Sequence, residues 1–301
     1  MIYLFIMNGR EDKSFIGEEV RRQISCIPNP PACEFYLTRS EGDATDYVYT
    51  HALANPGSQY CYVACGGDGT ISEVAAGIAR ACGENPAVKD KCLAVLAMGS
   101  GNDFVKYYPD SDFKSVEKLF AASPAPIDIM KVNDRYSINV TNFGFDSIVG
   151  HVGGILASKG WKNPYRFGIV AAILAGRFNR ISVDADGENI GRRLLLCTLA
   201  NNHYVGGEFF CAPRARNDDG LIDVCLIRTM CLMKFLQILP VYTAGKHFED
   251  KRFEKKIVYR QAKKVTVSSK KSIYLCLDGE MVAGTQFNVE IIPGLVNFVK
   301  P

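Results

Sequence analysis

Histidine is scarce in this chain of 301 residues: four imidazoles, at positions 51, 151, 203 and 247, lie far apart. The eleven cysteines include no Cys-x-x-Cys pair. Both absences argue against a zinc site, whose ligands come from closely spaced groups of these types. An odd cysteine count without regular spacing also argues against a disulfide framework. Cys61, Cys65, Cys92, Cys197, Cys225 and Cys276 instead sit in apolar, strand-like runs, as reduced small hydrophobes of a cytosolic protein do. Long apolar stretches are missing as well. Those around 167–178 and 230–245 are interrupted and too short to span a bilayer. The apolar start, Met1–Met7, has no basic leader and reads as a first strand rather than a signal peptide. The net charge of +3 is too small to imply a nucleic-acid partner. There is no internal repeat and no low-complexity segment.

What is present suits two globular domains: 48% of the residues are apolar and 22% charged. Up to about residue 125 the pattern alternates. Strands are expected at 2–7, 33–38, 60–65 and 92–98, and helices at 15–25, 43–54, 71–82 and 112–122. That order predicts a parallel sheet with helices on both faces. The helix at 71 has one apolar face, and Thr70-Ile71-Ser72-Glu73 reads as a capping box. The character changes near Ser123-Pro124-Ala125-Pro126. Beyond it strands prevail, at 127–133, 136–143, 181–186, 193–201, 221–228, 256–260, 263–268, 272–277 and 286–292. Helices are expected near 147–157, 164–178 and 231–247. The reading is an α/β domain over 1–125, a mostly antiparallel β domain over 126–292, and a last segment, about 293–301, returning to the first.

Four motifs carry chemistry. Gly66-Gly67-Asp68-Gly69-Thr70 joins a buried strand to a helix, the arrangement that aims backbone N–H groups at a phosphate. Its glycines allow close backbone approach, and Asp68 suits a metal ion or a proton. Gly99-Ser100-Gly101-Asn102-Asp103-Phe104 follows the next strand. Neighbouring loops of a parallel sheet line one crevice, so Ser100, Gly101 and Asn102 are candidate nucleotide contacts and Asp103 a metal or capping acid. Leu277-Asp278-Gly279-Glu280 reads as a hairpin turn, with Glu280 placed to accept a proton if the turn faces the crevice. Arg216-Asn217-Asp218-Asp219-Gly220-Leu221-Ile222-Asp223 clusters acids and carbonyls suited to a hard cation, or is a polar loop before a strand. Residues 246–271 also hold ten Lys and Arg against three acids, either a solvated face or an attraction for anionic lipid. Trp161 and Tyr165 are expected to pack rather than to seat at a membrane.

In this order the motifs resemble the bacterial lipid kinases of the diacylglycerol kinase catalytic-domain family, which also includes the sphingosine kinases. Thr38 with Gly42-Asp43-Ala44, Asn201–Gly207 and Ala212-Pro213 extend the resemblance over nearly the whole chain. It implies a three-layer, Rossmann-like nucleotide-binding domain followed by an antiparallel β-sandwich. It implies ATP and Mg2+, and a lipid acceptor, diacylglycerol first. By resemblance Glu280 is the proton acceptor, and Asp68 belongs to the acid–water–Mg2+ network, with Asp103 and Asp128 beside it. Thr38, Gly66, Gly67, Asp68, Gly69, Thr70, Ile71, Ser72, Glu73 and Ser100 are the implied ATP contacts. Arg216 and Leu221, through backbone oxygens, and Asp219, through its carboxylate, match a structural Mg2+ site. The implied setting is cytoplasmic, with peripheral contact to an anionic membrane, and a homodimer stays open. One departure stands out: the first strand ends Met7-Asn8-Gly9-Arg10-Glu11-Asp12, where the family carries Asn-Pro and a glycine-rich loop. This leaves contacts from 9–14 open. A soluble nucleotide kinase such as NAD kinase, and a nucleotide- or lipid-binding protein without turnover, are the two other readings.

Overall fold

The computed structural model describes residues 1–162, 167 and 180–301. It divides into two compact units, Met1–Ile129 with Ile292–Pro301, and Met130–Ile291.

The first unit is built on parallel strands β1 (Ile2–Asn8), β2 (Cys33–Thr38), β3 (Tyr60–Gly66) and β4 (Cys92–Ala97), in the order β2-β1-β3-β4. β3 and β4 are buried along their whole length, as strands covered on both faces must be. Helices α1 (Phe15–Ser25) and α4 (Val116–Ala121) contact each other and supply Ile16, Val20, Val116 and Leu119 to one core cluster with the sheet. α2 (Asp43–Ala54) and α3 (Asp68–Glu84) pack closely together. A Cβ on Gly77 of α3 would lie 2.7 Å from the Thr45 carbonyl oxygen and 2.8 Å from Val48 Cβ, so glycine sets their approach. The end of a long strand, β14 (Glu280–Val299), completes this sheet, Asn297 and Phe298 pairing in parallel with Cys92 and Leu93.

The second unit is mostly antiparallel. Its main path is β12 (Ile257–Ala262), β11 (Ile222–Arg228), β10 (Leu194–Ala200), β7 (Val140–Gly144), β13 (Lys264–Leu277) and β14. β13 has a register shift between Ser268 and Ile273. One half pairs with β7 and the other with β8 (Ile181–Ala185), which carries β9 (Glu188–Gly191). Splitting one strand between two partners this way is how a sheet folds over itself into a sandwich. Phe143, Val183, Leu199, Val267 and Leu275 lie in its core. A second cluster in this unit joins Phe235, Ile238 and Tyr242 of helix α6 (Leu232–Thr243) to sheet residues such as Leu196 and Ile227. β5 (Pro124–Val132) and β6 (Arg135–Ser137) precede β7, and α5 (Phe145–Ser158) follows it.

Several expected elements differ in extent. The strands expected at 263–268 and 272–277 are one strand, and the segment 136–143 is two. α3 starts three residues earlier than expected, and the capping box does not form. Gly67 is the N-cap, in an extended conformation and with no side-chain cap. The Glu73 carboxylate instead accepts the Ala44 N–H, at 3.2 Å, near the start of α2. The helix expected at 164–178 lies outside the described residues, apart from Phe167, and so does Tyr165. Trp161 does not pack into a core; it is 50% exposed, edge-on to Phe167. The cysteines named above are buried and free, except Cys276, which is half-buried and free. Burial pushes the Cys61 and Cys197 thiols well above their usual range, so they act as inert small hydrophobes. Among the described residues no helix is long and apolar enough to cross a membrane.

Candidate active site

All four strands β1–β4 run the same way, so the loops at their C-terminal ends share one edge of the sheet. The chain leaves β1 for β2 on one side and β3 lies on the other, which makes this a topological switch point. A cleft of about 600 Å³ opens there. Asn8, Arg10 and Lys13 line it after β1; Thr38, Arg39, Ser40 and Glu41 after β2; Gly67–Thr70 after β3; and Gly99–Gly101 after β4. Ala44 and Glu73 close the lining.

The two glycine loops are held against each other. A Cβ on Gly99 would lie 2.3 Å from Gly67 Cα, and one on Gly66 2.4 Å from Thr70 Oγ1. Neither position accepts a side chain without moving its neighbour. Asp68 fastens the loops: its Oδ1 accepts the Phe104 N–H at 3.2 Å, and the Asp103 N–H also bonds to the carboxylate. Burial raises this carboxyl above its ordinary value, and the nearby Asp103 charge adds to the rise. Gly101 is needed next to it, because a Cβ there would stand 2.8 Å from Asp68 Oδ2. The Asn102 side chain is spent within its own loop. It accepts the Gly99 N–H at 3.1 Å and donates to the Gly99 carbonyl at 2.9 Å, with its backbone at a φ of 53°. Asp103 is nearly buried and pairs with Lys106 at 2.7 Å. Phe104 is buried against Phe298, with ring centroids 5.1 Å apart, and anchors the loop.

Of the residues singled out in sequence, Thr38, Gly67, Asp68, Gly69, Thr70, Glu73, Ser100 and Gly101 therefore line one cleft. Gly66, Ile71, Ser72, Asn102 and Asp103 do not line it; Ile71 lies in the core. Asp128 is buried and accepts the Gly294 N–H at 2.8 Å, which ties down the returning strand. Arg10 and Lys13 fall in the segment 9–14, whose contacts the sequence left open; Arg39 and Glu41 belong to no motif named in the sequence. Their only sequence signal is position, just past the ends of β1 and β2. Gly9 allows the β1 loop to pass close, since a Cβ there would meet the Thr38 carbonyl oxygen at 2.2 Å. The cleft suits a polyphosphate. The first N–H groups of α3 have no side-chain cap, and Lys13, Arg39 and Arg10, the last paired with Asp12 at 3.0 Å, offset the lining acids Glu41, Asp68 and Glu73.

The second unit holds the other two motifs. Asp278 (φ 48°) and Gly279 (φ 103°) form the two-residue turn between β13 and β14, where Leu277 pairs with Glu280. The Asp278 carboxylate accepts the Ser137 hydroxyl at 2.7 Å and the N–H groups of Ile138, Asn139 and Val140 at 2.9, 3.1 and 2.9 Å. It binds the segment between β6 and β7 to the turn. Glu280 follows, half-exposed, with its carboxylate on the Arg135 guanidinium.

In the loop 216–223, Asp219 accepts the Leu221 N–H at 3.0 Å, and the Arg216 side chain pairs with Asp218 at 3.1 Å. Asp223 is buried, with Oδ1 taken by the Tyr259 hydroxyl and no hydrogen-bond partner at Oδ2 among the described residues. Burial raises its carboxyl, and the Asp219 charge adds to the rise. Neither acid forms a salt bridge among the described residues, an arrangement that fits a hard cation. Among the described residues no three His, Cys, Asp or Glu side chains converge, so backbone oxygens would have to complete the shell.

The family model described as "Diacylglycerol kinase catalytic domain" matches residues 3–132. The model "YegS C-terminal NAD kinase beta sandwich-like domain" matches residues 139–300. The diacylglycerol kinase of Bacillus subtilis is 27% identical over 249 residues, covering 81% of this chain and 78% of that protein. That of Staphylococcus carnosus is 28% identical over 249 residues, covering 81% and 77%. A crystal structure of a diacylglycerol kinase from Bacillus anthracis superposes with a TM-score of 0.70 at 20% identity, covering 100% of this chain and 97% of that one. At that identity the likeness speaks for the fold.

Proposed function

Since the chain belongs to the diacylglycerol kinase family, with a YegS-type C-terminal domain, and is thus a lipid kinase, we propose that it transfers the γ-phosphoryl group of ATP to a lipid hydroxyl, that of diacylglycerol first. The observation that carries this reading is the cleft at the switch point, where both glycine loops, the uncapped start of α3 and three cations converge.

In this reading, the N–H groups at the start of α3 and the backbone of Gly67 and Gly69 hold the phosphates. Thr38, Thr70 and Ser100 add hydroxyl contacts, and Arg10, Lys13 and Arg39 balance the charge. Asp68 would hold Mg2+ through water, and the ion would neutralise charge on the β- and γ-phosphates. As the new O–P bond forms and the bond to the β-phosphate oxygen breaks, Glu280 takes the proton from the lipid hydroxyl. Arg135 positions the Glu280 carboxylate. Catalysis rests on positioning and on stabilising charge, as phosphoryl transfer requires. Asp219, with the carbonyls of Arg216 and Leu221, would hold a second, structural Mg2+. The first unit would serve ATP and the second the lipid, at an anionic membrane surface in the cytoplasm.

Incubating the purified protein with labelled ATP and vesicles of mixed lipids tests this, with mass spectrometry of the products. Labelled phosphatidic acid is expected. Labelled NADP from added NAD, or ATP binding without a lipid product, would overturn the reading.

A further inference from the structure

Helix α6 turns apolar side chains toward water. Its inner face is fixed: Phe235, Ile238 and Tyr242 are buried, and the Tyr242 hydroxyl bonds to Thr198 at 2.9 Å. On the outer side Leu232, Met233 and Leu236 are 37%, 67% and 49% exposed. Packing and hydrogen bonding thus hold the helix in place while it presents large hydrophobes.

The surroundings of these residues are basic. No Asp or Glu occurs between Asp223 and Glu249. The sheet register collects further cations at this end. Leu194 at the start of β10 lies opposite Arg228 at the end of β11, and Ile227 lies opposite Ile257 at the start of β12. Arg192 and Arg193 just before β10, Arg228 itself, and Lys255 and Lys256 just before β12 are therefore neighbours in space. Lys256 reaches Thr229 O, three residues before α6, at 3.2 Å. Lys234 lies on α6. Among the described residues none of these six cations forms a salt bridge. The one acid at these strand ends is Glu254.

We propose that the first half of α6, with the cationic strand ends beside it, docks the protein onto an anionic bilayer. The apolar residues enter the boundary between headgroups and acyl chains, and the cations meet the phosphates. A second copy of this chain is a poorer occupant, because a two-fold contact would set these unpaired cations against their own kind. The proposal rests on the lipid-kinase reading, which requires the enzyme to reach a substrate held in a membrane.

Flotation with phosphatidylglycerol and phosphatidylcholine vesicles tests it. The protein should float with the anionic vesicles and be released by added salt. The triple variant L232S/M233S/L236S should lose about tenfold or more in vesicle binding. K234Q/K255Q, which leaves the apolar residues in place, should weaken binding to the anionic vesicles alone. Both variants should keep the wild-type melting temperature and turnover of lipid in detergent micelles, and lose turnover on vesicles. Equal binding of wild-type protein to both kinds of vesicle, or undiminished binding by the triple variant, would overturn the proposal. So would a wild-type dimer that the triple variant disperses without change in vesicle binding. Vesicle binding that needs α6, with no lipid phosphorylated, would refute the kinase reading and leave the docking surface standing.

Discussion

Asp278 and Glu280 stand two residues apart in one turn, and the structure gives them opposite dependences. Asp278 satisfies a hydroxyl and three backbone N–H groups. Asp278→Ala should therefore cost stability, about 3 kcal/mol or more, visible in denaturant melts. Glu280 makes a half-exposed ion pair, worth under about 1 kcal/mol. Glu280→Gln should keep the melting temperature and nucleotide affinity and abolish phosphoryl transfer; an active variant would remove Glu280 from its role. The structural role of Asp278 was not legible in the sequence. An acid beside glycine signals a turn locally, whereas the partners of Asp278 lie in a segment remote in the chain. Asn102 and Glu73 carry the same lesson, since their polar ends are used on loop and helix backbone. His247 supplies a pH test. It is 1% exposed, neither ring nitrogen has a hydrogen-bond partner among the described residues, and burial, aided by the Arg214 charge, lowers it to about 4. A folded value below the unfolded one gives stability that is present above the ordinary value and lost as pH falls toward the folded one. Wild-type protein should lose on the order of 3 kcal/mol between roughly pH 6.5 and pH 4 through this group. In pH-dependent melts, His247→Phe should flatten that limb.

Among the elements, the two glycine loops separate folding from binding. Gly99→Ala would drive a Cβ into Gly67 Cα, so it should lower both the melting temperature and ATP affinity. A Cβ on Gly69 meets nothing within 4 Å. Gly69→Ala should keep stability within about 1 kcal/mol while weakening ATP binding, because the added methyl would stand where the phosphates approach. Calorimetry with and without nucleotide distinguishes the two outcomes. Strands and helices of the first unit were legible from periodicity, since buried parallel strands and one-faced helices leave strong local patterns. The start of α3 was not legible in the sequence, because Glu73, its expected capping acid, bonds near the start of α2 instead. The convergence of Arg10 and Lys13 with Arg39 was not legible, because these residues become neighbours only once the parallel register is set. In the second unit, chelation should lower the melting temperature of wild-type protein and leave Asp219→Ala unchanged, if that loop holds a structural ion. A chelation shift retained by the variant would place the ion elsewhere.

At the scale of the molecule, the first unit draws on both ends of the chain, and the second is one continuous stretch. Phe298 belongs to the first unit, where it contacts Phe104, Tyr108 and Phe113. Phe298→Ala should cost about 3–5 kcal/mol and, through Phe104, loosen the second glycine loop. Equilibrium unfolding and ATP titration should report both effects, and full ATP affinity in a destabilised variant would separate the anchor from the site. The returning strand also bears on synthesis. A ribosome releases both glycine loops early, yet the strand that closes their sheet emerges after the entire second unit. A nascent chain thus carries the nucleotide motifs for most of translation with Phe104 touching Tyr108 but lacking Phe298. A prematurely released chain would expose this surface to chaperones and proteases instead of competing for ATP.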